Sequence, residues 1–180
     1  MLYHADFYND QPRVVFEFYP PPLGSGLETK SRVHDRLKLK GTGISLVSGS
    51  WLWKAEAAQV SGFRFYGTDQ EYERQDLMFG IEYAGISDAS LGFEISRRIY
   101  PDFDSILENP PNNADEHVVQ SAFNYRQDFW NQTLHLNSFA LILGEYWNKG
   151  TTARISLDYG WFDAFSVGVG WLVYQKGRDS

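Results

Sequence analysis

Across residues 51–98, bulky apolar residues recur at every second position. In residues 76–84 the odd positions are Leu77, Phe79, Ile81 and Tyr83, and the even ones are Asp76, Met78, Gly80, Glu82 and Ala84. Residues 89–98 repeat the pattern, with Ala89, Leu91, Phe93 and Ile95 against Ser90, Gly92, Glu94, Ser96 and Arg98. Residues 51–58 set Trp51, Trp53, Ala55 and Ala57 against Lys54 and Glu56. Strand side chains change face at each residue, so every run predicts a strand with one oily and one polar face.

The same period predicts strands at 3–8, 14–19, 39–47, 117–127, 134–143, 153–159 and 164–175, about ten in all by period-2 reading, and no helix. Residues 134–143 are apolar almost throughout; His135 and Asn137 are assigned to the polar side. Pro12 marks a turn after the first strand, and Ser48-Gly49-Ser50 a tight hairpin into Trp51. Long polar connections, near 20–38, 61–75, 99–116 and 144–152, alternate with short turns. An up-and-down barrel in an outer membrane sorts its loops this way, whereas a Greek-key sandwich has no reason to. The expected fold is therefore all-β: one antiparallel up-and-down transmembrane β-barrel, or an open segment of one, over residues 1–180 in consecutive hairpins.

The placement of the two files decides the class. A soluble barrel points its large apolar residues inward, and a membrane barrel points them at lipid. Here the polar file mixes Gly43, Ser45, Gly80, Gly92, Gly168 and Gly170 with charges of both signs. That combination suits a water-facing lumen, and Lys54, Glu56, Glu82, Glu94, Arg98, Arg126, Arg154 and Asp158 are the expected lumen-lining residues. Glu82 and Glu94 should meet Lys54 and Arg98 across strands. Aromatic residues gather in two belts, Tyr8, Phe129, Trp130, Tyr159, Trp161 and Phe162 near the short turns and Tyr66, Tyr100, Tyr146, Trp147 and Tyr174 near the long loops.

Composition narrows the reading further. A net charge of -7 argues against a nucleic-acid surface. Mean hydropathy of -0.40, with no apolar run approaching the roughly 20 residues of a spanning helix, excludes a helical membrane protein but not a barrel. Cysteine is absent, which decides nothing. The opening MLYHADFYND has no basic stretch followed by an apolar one, so it predicts no secretory leader.

Candidate chemistry is sparse. His135 and Ser138 are three apart, which on a strand puts them on opposite faces, out of reach for a nucleophile and its base. His34-Asp35, His117 with Asp115 and Glu116, and Asp102 with Asp104 lack a metal-ligand spacing. The pair Glu82 and Glu94 reads as structural lumen charge rather than a glycosidase couple. GTG and GVG fall inside strands and make no phosphate loop. No catalytic residue, metal or cofactor is expected.

The stretches GSWLWKAEAAQVSGFRF, FGIEYAGISDASLGFEISRRIYPDFDS, RQDFWNQTLHLNSFALILGE and ISLDYGWFDAFSVGVGWLVYQKG resemble a proteobacterial outer-membrane β-barrel family catalogued as a domain of unknown function. The likeness covers roughly residues 41–177: Lys54 and Glu56 on a Trp-bearing strand, Gly80 to Tyr83, Glu94, and the Asp102 to Asp104 loop. It implies an outer-membrane protein associated with an RND-type exporter of hydrophobic compounds. Because members are longer, it also implies that this chain is a C-terminal piece without the closing strand. The functional expectation is a channel or transport-associated component for hydrophobic or small solutes, touching outer-membrane lipid. A soluble lipid-binding barrel and an outer-membrane hydrolase are the alternatives.

Overall fold

The structure, a computed structural model, describes residues 1–19, 26–162 and 165–177; side chains of residues 16–30 are outside the description. Eleven strands follow in order: β1 Leu2–Tyr8, β2 Arg13–Tyr19, β3 Gly26–Val33, β4 Arg36–Ser48, β5 Trp51–Arg64, β6 Glu71–Ile86, β7 Ala89–Ile99, β8 His117–Phe129, β9 Leu134–Leu143, β10 Gly150–Phe162 and β11 Phe165–Lys176. Nine of them form one antiparallel up-and-down sheet in the order β1-β4-β5-β6-β7-β8-β9-β10-β11, and β2-β3 stand apart as a two-stranded sheet. Among the described residues the sheet is not closed, consistent with an open barrel segment.

Several expectations need correction. β1 does not pair with β2 but with β4, from Leu2 against Thr42 to Tyr8 against Arg36, so the chain leaves the main sheet after Tyr8 and returns at Arg36. The loop expected at 20–38 contains β3 and the start of β4, while residues 20–25 lie outside the described set. The loop expected at 61–75 shrinks to 65–70 because β5 and β6 run on past the apolar stretch. The connection between the strands expected at 153–159 and 164–175 is strand as far as Phe162, with Asp163 outside the described residues, and Tyr8 proves to sit at the long-loop rim.

The ladders fix the strand tilt. One row of directly opposed residues runs Trp51, Tyr83, Leu91, Tyr125, Ser138, Ile155, Trp171. Trp51 opens its strand at the short-turn rim, but on β11 the rim is Phe165, about six residues beyond Trp171. A stagger of about one residue per strand, with about 3.3 Å rise and about 4.8 Å between strands, tilts the strands by about 35° if the short turns share a plane. That lies at the lower edge of the range for closed barrels.

One face carries the apolar file. Leu77, Phe79 and Phe93 are 46%, 45% and 40% exposed, whereas Glu82 and Glu94 on the opposite face are half-buried. The polar face is the inner one, since at the long-loop rim it is roofed over. Leu37, Val60 and Tyr72 continue the inner files of β4, β5 and β6 beyond the apolar stretch, and all three are buried. Above them pack Tyr100 and Leu107, the latter in a 3₁₀ turn, Ser105–Leu107, whose first turn is capped by Asp104 Oδ1 accepting from Ile106 N at 3.0 Å. Phe65 stands edge-on to Tyr72 and Tyr100, at 5.4 and 5.8 Å between ring centroids.

Polarity thus inverts along β4, β5 and β6. In β4 the outer file reads Leu46, Ile44, Thr42 and then Lys40, Lys38 and Arg36, while the inner file changes from Ser45 and Gly43 to Leu39 and Leu37. In β6 the outer file changes from Phe79 and Leu77 to Gln75, Glu73 and Glu71. Near the short turns these strands are oily outside and polar inside; near the long loops they have the reverse, ordinary soluble arrangement. Gly62, at φ +100°, lies at a bulge between Ser61 and Phe63 that turns Phe63 inward.

Candidate functional site: the polar inner face

All eight residues expected to line a lumen stand on the inner face. The ladders place them in rows with the inner-face glycines: Ser45, Lys54, Gly80, Glu94 in one, and Ser90, Arg126, Asn137, Ser156, Gly170 in another. The glycines and the long polar side chains have a common cause. A Cβ on Gly80 would come within 3.1 Å of Glu94 Cγ, one on Gly43 within 3.2 Å of Glu56 Cγ, and one on Gly92 within 2.7 Å of Asn124 Oδ1. Each glycine leaves room for a polar side chain of the adjoining strand to lie flat on the wall. Asp158 lies over Gly168, and the Tyr3 ring over Gly41, in the same manner.

The charges form three groups. On β5–β7, Lys54 is ion-paired to Glu82, with Glu56 and Glu94 close enough to act on it, so three carboxylates surround one ammonium. Nearer the long loops, Asp76 holds Arg74 at 2.8 Å through one oxygen and Arg98 at 3.1 Å through the other. Arg98 therefore meets Asp76, not Glu94, because Asp76 directly opposes it in the ladder. On β8–β10, Asp128 Oδ1 lies 2.6 Å from His135 Nδ1 and 3.7 Å from Arg126 Nε, with Asp158 opposing His135 from the next strand. Arg154, exposed between Phe139 and Leu172, makes no ion pair among the described residues. Partial exposure makes each pair a weak contributor to stability, about 0–1 kcal/mol. Their larger effect is on what can lie against the wall.

The other candidates have local roles. His34 Nδ1 lies 2.6 Å from Asn9 O, and Asp35 is buried against Arg13 Nε at 3.5 Å. Asp115 pairs with Lys149 at 2.6 Å, and His117 with Glu116 at 3.2 Å. Among the described residues no group of three or more His, Asp or Glu is placed to hold a metal. His135 faces inward and Ser138 outward, as the spacing predicts.

The roof over this face was not foreseen. Val14 N donates to Tyr66 Oη at 2.7 Å, Tyr66 N donates to Asn112 Oδ1 at 2.8 Å, and Asn112 Nδ2 donates to Tyr66 O at 3.0 Å and Ile106 O at 3.2 Å. These bonds tie the β2–β3 hairpin, the 65–70 loop and the 100–116 loop together. Tyr100 and Tyr66 thus belong to the roof and its inner cluster, not to an aromatic belt. At the short-turn rim a belt does form. The Trp51 and Tyr83 rings lie tilted against each other at 4.4 Å between centroids, and Tyr159 stands edge-on to Trp130 and Trp161 at 6.2 and 6.3 Å.

No protein-family model, curated protein or solved structure matches the chain.

Proposed function

We propose that the chain forms the wall of an outer-membrane β-barrel that serves as a passive conduit or transport-associated component, with no bond-making chemistry. The observation that carries this reading is the inversion of polarity along the strands. A band of outward apolar side chains runs from β4 to β11, and on β4 to β6 it gives way to a polar and charged collar where the inner file turns from Ser45, Lys54 and Glu82 to Leu37, Val60 and Tyr72. Lipid around the band and water inside explain both changes; a soluble sheet explains neither.

The dimensions agree with a bilayer. At a tilt of about 35° each residue advances about 2.7 Å along the barrel axis, so an apolar band about 25 Å tall needs about nine residues. The outward apolar run on β11, Phe165 to Val173, has about that length, and on β9 the outward file from Leu134 to Ile142 matches it with Ser138 as its one polar position. The Trp and Tyr belt at one rim suits headgroups, and Arg97, outward at the level of Leu77, suits the opposite interface, where its head can reach water. A lipid-embedded sheet cannot leave backbone edges bare. The free edges of β11 and of residues 44–48 in β4 would therefore be joined to further strands.

Inner-face cations and carboxylates are nearly equal in number, so the pore would be weakly ion-selective, with the loop roof setting access. The full chain, refolded into short-chain phosphatidylcholine vesicles and fused to a planar bilayer, should give stepwise conductance. Insertion without conductance would remove the conduit role, and failure to insert would remove the membrane reading. The RND-type exporter remains a proposed association, to be tested by co-purification from membranes.

A further inference from the structure

Strand β9 is apolar on both faces. Its outer residues Leu136, Ala140 and Ile142 belong to the lipid-facing band, but its inner file changes from His135 and Asn137 to Phe139, Leu141 and Leu143. A water-lined wall gives no reason for three successive apolar positions, and Leu172 and Tyr174 of β11 widen the patch. The strip from Phe139 to Leu143 is about 13 Å long at about 3.3 Å per residue, and Phe139 is 44% exposed. At its short-turn end it meets Arg126 of β8 and Arg154 of β10. Asn124 and Arg154 flank Phe139 in its row, and Arg126 and Ser156 flank Asn137 in the next. Arg126, Arg154, Phe139 and both asparagines line one open cavity of about 470 Å³, whose wall Asp158 shares.

We propose that this cavity and strip form a binding site for an amphiphilic carboxylate. The hydrocarbon part lies along Phe139, Leu141 and Leu143, and the carboxylate is held by Arg154 and Arg126 with the amides of Asn124 and Asn137. The charge complement selects the head: Arg154 makes no ion pair among the described residues, and Arg126 has only a 3.7 Å contact to Asp128. A carboxylate bound by a guanidinium fork gains charge-assisted hydrogen bonds that an alcohol does not. Asp158 sets the orientation, repelling the head from the rim and leaving the chain to point toward the long loops. The site deepens the conduit reading and rests on it, since it takes the inner face to be reached through water.

The test uses the full chain in phosphatidylcholine nanodiscs, with 11-(dansylamino)undecanoic acid as the probe and empty nanodiscs as the blank. A saturable, protein-dependent rise in dansyl fluorescence is expected, displaced by decanoate but not by acetate or by decanol at equal concentration. Arg154→Gln should weaken probe binding about tenfold or more, the factor expected from losing one charge-assisted hydrogen bond. Arg154→Lys should restore part of it, and Leu141→Ser should weaken probe and decanoate alike. Heat-modifiable migration in gels confirms that each variant is folded. Equal displacement by decanol, or unchanged affinity in Arg154→Gln, would overturn the head-group assignment. A folded, inserted barrel with no protein-dependent signal would overturn the site, with the strip then covered by polypeptide, and would leave the conduit reading standing. A chain that fails to insert would fail the earlier reading instead.

Discussion

Phe93 offers the sharpest test of which face meets lipid. It sits outward in the row Leu46, Trp53, Ile81, Phe93, Phe123, with apolar neighbours on both sides, and 40% of its surface is left bare by the protein. Covering that fraction with lipid contributes about 1 kcal/mol, taking about 1.5–3 kcal/mol for complete burial of such a side chain. Replacing Phe93 by Arg forfeits this and places a charge near the middle of the band, where an outward cation costs about 2–4 kcal/mol. The sum predicts a loss of about 3–5 kcal/mol for Phe93→Arg. Gln75→Arg, outward but within the polar collar, should cost less than about 1 kcal/mol, as at a bilayer interface. The assay is reversible urea unfolding from phosphatidylcholine vesicles, followed by tryptophan emission. On a water-exposed sheet both substitutions would fall within about 0.5 kcal/mol of the unsubstituted chain. Equal, small effects at the two positions would refute the reasoning.

Three further outcomes follow from the inner face and its roof. Lys54→Met leaves Glu56, Glu82 and Glu94 without their shared counter-ion; stability should fall by no more than about 1 kcal/mol, while the reversal potential in a salt gradient shifts toward cation preference. Asn112→Ala removes three hydrogen bonds of the roof. At about 0.5–1.5 kcal/mol each, limited proteolysis within 100–116 should accelerate about tenfold or more with the strands intact. Gly62→Ala forces a Cβ at φ +100° to within 2.5 Å of Arg36 O, so it should lower unfolding stability by about 1–3 kcal/mol and shift the urea midpoint down.

Strand identity and facing were legible wherever an oily file was continuous, as in 76–84 and 89–98, because period 2 alone then names both faces. The extensions of β5 and β6 were misread as loop for a physical reason. Above the band the alternation persists, with Val60 and Tyr72 inward against Gln59 and Glu73 outward, but outward charges give the stretch the composition of a loop. The bulge at Gly62 also shifts the phase by one residue. β3, GLETKSRV, escaped notice because its charges mask a regular alternation. The pairing of β1 with β4 is a long-range choice that no local pattern encodes. On the inner face, all eight charged residues were legible as a set, since facing follows from parity. Which cation meets which carboxylate was not: Arg98 pairs with Asp76 because register, set by the whole ladder, puts them opposite each other. The two-sided apolar character of β9 was visible in the sequence, but its meaning required Arg126 and Arg154 to be seen beside it.

The account depends on one face meeting lipid and the other water, and nitroxide scanning measures that directly. Single spin labels at positions 77 to 83 of the chain in vesicles should show oxygen accessibility peaking at 77, 79, 81 and 83, and accessibility to a water-soluble nickel complex peaking at 78, 80 and 82. Opposite phases for the two agents are the predicted result. The same phase for both, or oxygen maxima at the even positions, would contradict it.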